Sequence, residues 1–172
     1  MTMSRFLLIF IVLLLALSFA YKSDAISRTI VTPWNYILAE SSFHLIDPID
    51  NDAQLSGNVL SNTKTGFTVS VEDDCNAIEA TLILISAIMA SPSRALSRAV
   101  GAIVGLLSIQ LLNLIRIISL YFLGQWNTTI FDWAHQYAWP ALILLFALLF
   151  FAVWYKFAST DSVETALERP RE

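Results

Sequence analysis

The chain has 172 residues, of which 56% are hydrophobic and 14% charged, and its net charge is −4. Soluble domains carry about a quarter charged residues, so this deficit, gathered in long apolar blocks, points to an integral membrane protein rather than a water-soluble enzyme. The acidic balance speaks against a nucleic-acid partner, the lone Cys75 excludes an internal disulfide, and two histidines, His44 and His135, are poor material for a metal site, so no metal or cofactor is expected.

The first apolar block runs from Phe6 to Tyr21, FLLIFIVLLLALSFAY, behind Arg5. It is near the lower limit for a spanning helix, roughly 17–25 residues. It reads as a first transmembrane helix or signal anchor over residues 1–21, with the small residues of Ser18-Phe19-Ala20 leaving a cleaved signal peptide open. Residues 22–74 form an extracytoplasmic cap segment. Within it, Asn35 to Glu40 opens a short interfacial helix after Pro33. Further on, Asn58-Val59-Leu60, the turn-rich SNTKTG and the alternating Phe67 to Val71 read as a possible short hairpin. Trp34, Phe43 and Phe67 speak for order in this segment.

The second block opens at Cys75, CNAIEATLILISAIMAS. Asp73 or Asp74 as N-cap places the thiol in the first helical turn, where the helix dipole favours thiolate. The acids Glu72, Asp73 and Asp74 oppose that effect. Glu79, four residues on, shares the face of Cys75. The third block runs from about Ala99 to Gly124 and contains Arg116, about 12 Å short of Gly124 at 1.5 Å per residue. A charge at the centre of a bilayer costs ~2.5–3.5 kcal/mol on insertion scales. Either Arg116 snorkels to the headgroups, or it looks into the bundle together with Asn113 and Ser119, three residues to either side. The fourth block, about Tyr137 to Tyr155, carries Trp and Tyr at both ends as interface anchors. His135 stands just before it, with Asp132 placed to orient the ring.

Charge in the short loops sets the orientation. Arg5, Arg94, Arg98 and Lys156 fall on one side, and by the positive-inside rule that side is the cytoplasm. Cys75, Arg116 and His135 then share the opposite face. The expected architecture is an all-α polytopic membrane protein: a four-helix transmembrane bundle with a small extracytoplasmic cap. Its three-helix catalytic core spans residues 75–155, and residues 156–172 form a cytoplasmic tail. A thiol, an imidazole and a guanidinium together suit acyl transfer, in which histidine takes the thiol proton and arginine stabilises the developing oxyanion. The competing reading is a non-catalytic membrane scaffold or export accessory subunit, with an inert Cys75 and an intramembrane Arg116–Glu79 ion pair.

Three motifs carry a resemblance. Cys-Asn-Ala-Ile-Glu-Ala (75–80), Asn-Leu-Ile-Arg-Ile (113–117) and Asp-Trp-Ala-His-Gln-Tyr (132–137) resemble the signature sites of the exosortase/archaeosortase family, in order and in hydrophobic surroundings. Compact size and motif wording look most like its exosortase H branch. The resemblance covers roughly residues 70–155, with Asn-x-x-Arg-Ile its most specific part. It implies a multi-pass enzyme of the bacterial plasma (inner) membrane, acting at the extracytoplasmic face. Its partners would be exported proteins carrying a C-terminal motif, a transmembrane helix and a basic tail, with the lipid bilayer around them. It further implies Cys75 as nucleophile, Arg116 as substrate-binding or transition-state cation, His135 as proton-transfer partner and Asn113 as support for Arg116. One departure is Ala77, where the family often has glycine. The recognised motif, hydrolysis or transfer, and the oligomeric state stay open.

Overall fold

The computed structural model describes residues 2–167, the side chains of Asp74 and of residue 159 onward excepted. It is mostly helical. Helix α1 (Met3–Tyr21) is apolar from Phe6 on, apart from Ser18. A short α2 (Asp24–Ile26) and a π turn, Ser27–Val31, lead into α3 (Thr32–Ile46), which is longer than the interfacial helix expected there. Pro33 follows directly on the π turn, so its missing N–H falls where the helical hydrogen-bond register changes.

Three short strands follow, β1 (Ala53–Ser56), β2 (Val59–Asn62) and β3 (Thr68–Ser70), forming an antiparallel sheet in the order β1-β2-β3. The chain is therefore not all-α. The expected hairpin corresponds to β2 and β3, with Leu60 opposite Val69. Strand β1 extends it, pairing Leu55 with Leu60.

Helix α4 (Ile78–Ala90) has 13 residues, α5 (Ala95–Trp126) has 32, α6 (Thr128–Trp133) is short, and a second π turn, Ala134–Ala138, joins it to α7 (Trp139–Leu167). The tail expected from residue 156 thus begins as helix; residues 168–172 lie outside the described residues. Among the described residues, three stretches are long and apolar enough to cross a membrane: Met3–Tyr21, Ala95–Trp126 and Thr128–Ala158. Helix α4 measures about 20 Å at 1.5 Å per residue, against a hydrocarbon layer of about 30 Å. Where four spanning helices were expected, three long ones surround a short fourth. Helices α1, α5 and α7 all pack on α4, around Leu84, Ile88, Ile109, Ile143 and Ala147. Gly105 lets α5 approach closely, since a Cβ there would crowd Leu84 and Phe150.

Helix α5 is about 48 Å long, some 18 Å more than the hydrocarbon layer. Counted from Ala95, Asn113 lies about 27 Å along and Arg116 about 32 Å. An apolar layer beginning at Ala95 would therefore put Arg116 near its far edge instead of at its centre. The excess of α5 is where α3 and the sheet dock. Leu38, Ala39 and Ile46 of α3, Ala53 and Leu60 of the sheet, and Ile117 and Tyr121 of α5 form one buried cluster that also takes in Cys75. Polar ties reinforce it, with Tyr121 Oη donating to Asp50 Oδ2 at 2.9 Å and Asn62 Nδ2 donating to the same oxygen at 2.8 Å. Partial burial pushes the Asp50 carboxyl up, but hydrogen bonds from Tyr121, Asn62, the Asp52 N–H and Gln125 outweigh it and hold the group below its ordinary value. The Phe67 ring lies over Gly124, where any side chain would overlap it.

Candidate active site

Cys75 closes a 3₁₀ turn, Asp73–Cys75, in which its N–H donates to the Glu72 carbonyl at 2.8 Å. The thiol is thus ahead of α4 and not inside its first turn. Ala77 explains the break: at φ 54° and ψ 20° it is left-handed, and the helix starts only at Ile78. The N-cap position expected of Asp73 or Asp74 is held instead by Ala77, which brings no capping side chain, while Asn76 Oδ1, one residue earlier, accepts from the Ile78 N–H at 2.9 Å. The side chain of Asp74 lies outside the described residues.

Helix α5 then fixes this loop by its carbonyls. Asn113 Nδ2 donates to the Cys75 carbonyl at 2.8 Å, and Gln110 Nε2 donates to the Asn76 carbonyl at 3.3 Å. The spacing of three residues puts both amides on one helix face, and Arg116 continues that face by one more turn. Arg116 is buried, at 4% exposure. Ser119, expected to extend the polar face, instead turns its hydroxyl back to the Arg116 carbonyl at 2.8 Å.

His135 arrives from the other side on the π turn ahead of α7. Its Nε2 stands 3.2 Å from Cys75 Sγ. The ring lies against Phe131, with centroids 5.6 Å apart and planes 14° apart, and Phe131 meets Phe67 edge-on at 5.4 Å. Asp132 is exposed, and among the described residues it makes no hydrogen bond to the ring. A cavity of about 290 Å³ flanks the cysteine loop, lined by Asp73 and Ala77 of that loop with Arg116, Glu79 and Pro140, and with an apolar floor that includes Ile83 and Ile143. Glu79 is exposed, and among the described residues no ion pair joins it to Arg116.

A family model described as transmembrane exosortase matches residues 2–155. The chain belongs to the transmembrane exosortase family. No curated protein and no solved structure matches it. The match begins well before the three motifs, so α1, α3 and the sheet belong to the same exosortase unit as the helices that carry Cys75, Arg116 and His135. Membership and the three apolar helices identify an integral membrane protein with a protease- or transpeptidase-like role in general.

Three residues of this exosortase escaped the sequence reading as parts of the site. Asn35 Nδ2 donates to Asp73 Oδ1 at 3.0 Å, and Asn35 Oδ1 accepts from Asn76 Nδ2 at 3.1 Å, which ties α3 to both sides of the cysteine. Asn76 is fully buried between them. Gln110 had a signal available, because an amide one turn before Asn113 in an apolar helix marks the same inward face. Asn35 and Asn76 had none, since their partners are about forty residues apart in sequence.

Proposed function

We propose that this protein is a membrane-embedded cysteine protease or transpeptidase that cleaves the C-terminal sorting signals of exported, membrane-tethered proteins at the extracytoplasmic face of the bacterial inner membrane. The exosortase H branch is the best fit within the family. The observation that carries the reading is the 3.2 Å approach of His135 Nε2 to Cys75 Sγ, made by residues 60 apart in sequence. An imidazole has an ordinary pKa near 6.5 and exchanges protons at ambient pH. His135 takes the thiol proton, and the thiolate attacks the scissile carbonyl. Arg116, buried on the same α5 face as the Asn113 that binds the Cys75 carbonyl, stabilises the resulting oxyanion or holds the substrate for attack. As the C–N bond breaks, His135 returns the proton to the departing amine, leaving a thioester on Cys75. Water or an amine acceptor then resolves it. Asn113 holds the Cys75 backbone in place, Glu79 and Asp73 meet the substrate at the cavity rim, and Phe131 takes the ring-orienting role first assigned to Asp132.

The test is direct. Cys75→Ala, Cys75→Ser and His135→Ala should insert into membranes normally and leave a tagged exported protein uncut. Losing the proton-transfer partner alone should slow processing by about 10²–10⁴-fold. Processing by Cys75→Ala at the parental rate would place the nucleophile elsewhere.

A further inference from the structure

Cys75 closes a single 3₁₀ turn, Asp73–Cys75, with Asn76 and the left-handed Ala77 following before α4 begins. Such a turn holds its own shape poorly, because its hydrogen-bond geometry is strained. The position of the thiol is therefore set by what packs on the turn. Helix α5 grips it by the backbone, with Asn113 and Gln110 donating to the Cys75 and Asn76 carbonyls. Helix α3 adds a grip through one side chain. Asn35 uses both ends of its amide: Nδ2 donates to Asp73 Oδ1 at 3.0 Å, and Oδ1 accepts from Asn76 Nδ2 at 3.1 Å. The bridge spans the cysteine, from two residues before it to one residue after. Its footing is firm, since Leu38 and Ala39, one turn along α3 on the same face, are buried in the cluster that contains Cys75.

We infer that Asn35 is a positioning residue: by bridging Asp73 and Asn76 it holds the turn in the shape that keeps Cys75 Sγ 3.2 Å from His135 Nε2. The inference rests on the protease reading above, and it makes α3 a working part of that site although none of the three motifs lies on it. The chemistry selects asparagine. The position must donate to a carboxylate and accept from an amide at once, which an ionised carboxylate or a hydrocarbon does not do. Asn35 is 7% exposed and Asn76 is fully buried, so bulk water does not replace a lost partner. Without Asn35, among the described residues Asn76 Nδ2 keeps only the longer 3.5 Å approach to Tyr21 Oη, and Asp73 loses its tether to α3. A turn released on both sides of the cysteine shifts the sulfur, and misplacing a reacting atom by about 1 Å costs on the order of 100-fold in rate.

Exchanging the partners tests this. Asn35→Asp removes the donor and sets a second carboxylate against Asp73. Asn35→Asp combined with Asp73→Asn restores both bonds in reverse, because the new amide at position 73 and the Asn76 amide both donate to the new carboxylate. Two measurements read the outcome: turnover of a tagged, membrane-tethered substrate at saturation, and the pH profile of Cys75 alkylation by iodoacetamide, which is specific because the chain has no other cysteine. Asn35→Asp should lower turnover by about 10–100-fold and move the alkylation profile toward that of His135→Ala. Asp73 also lines the cavity next to the loop, so the double variant is compared with Asp73→Asn alone. Beside Asp73→Asn the same Asn35→Asp change should be neutral or beneficial in both measurements, a reversal that a loss of general stability does not produce. If Asn35→Asp fails to accumulate in membranes, Asn35→Ala, which only deletes the two bonds, carries the same two readouts. Parental turnover and an unchanged profile in the single variant, or a double variant as impaired as the two changes added together, overturn the inference. The two readings fail separately. A parental protein that cuts nothing removes the protease while the alkylation profiles still decide the role of Asn35; normal cutting by Asn35→Asp with a parental profile removes only the role of Asn35.

Discussion

Replacing Asn113 with leucine, nearly the same size but without the amide, isolates the clamp on the cysteine loop. The change removes the 2.8 Å hydrogen bond to the Cys75 carbonyl and leaves that acceptor without its amide partner. An unsatisfied buried acceptor costs about 1–3 kcal/mol. Part of this is returned, because Asn113 Oδ1 is itself buried with no hydrogen-bond partner among the described residues, and leucine eliminates it. The net is about 1–2 kcal/mol, which at 1.36 kcal/mol per tenfold corresponds to roughly 5–30-fold. If the loop relaxes to recover a partner, Sγ moves away from His135 Nε2 and the loss is read in turnover. Two assays follow it: processing of a tethered substrate under saturating conditions, and the pH dependence of Cys75 alkylation, which reports the thiol–imidazole contact. Gln110→Leu, which removes a longer 3.3 Å bond one carbonyl further on, should lose less in both. Asn113→Leu within twofold of the parent in turnover, with an unchanged alkylation profile, would refute the clamp.

Gly124→Val should overlap the Phe67 ring and loosen the sheet from α5, lowering stability by about 1–3 kcal/mol in thermal unfolding of detergent-solubilised protein. Asp50 has a folded pKa below its ordinary 3.8, so the stability it supplies is present above that value and is lost as pH falls through the lower folded one. Unfolding temperature should therefore drop more steeply below about pH 4 in the parent than in Asp50→Asn. Ala77→Gly should relieve a left-handed residue that costs about 1–2 kcal/mol when a Cβ is present, partly offset by the entropy of glycine. A small gain in stability with processing retained is expected, and a loss would mean that the alanine methyl itself makes a needed contact.

The apolar blocks were legible because hydrocarbon selects for uninterrupted greasy stretches, and α1, α5 and α7 fall where composition places them. Helix α4 was misjudged at its start. The acids before Cys75 look like N-caps, but the αL residue Ala77 is itself the N-cap and shortens the helix. Nothing in a lone alanine announces positive φ. Strand β1 was missed because Ala-Gln-Leu-Ser lacks β-branched residues and becomes a strand by pairing with β2. Sequence did not reveal that α3 and the sheet dock on α5 around Ile117 and Tyr121. The approach of His135 to Cys75 was readable from their shared face and complementary chemistry, whereas the π turn that carries the ring was not.

The Asn76 amide has a consequence for the N-terminal segment. Its Nδ2 reaches both Asn35 Oδ1 and, at 3.5 Å, the hydroxyl of Tyr21 at the last residue of α1. The first helix is thereby a guy-wire on the residue next to Cys75 as well as a flank of α4. A signal-peptidase cut behind Ala20 would leave Tyr21 at a new N-terminus, without the helix that positions its hydroxyl, so such trimming would slacken the loop that carries Cys75.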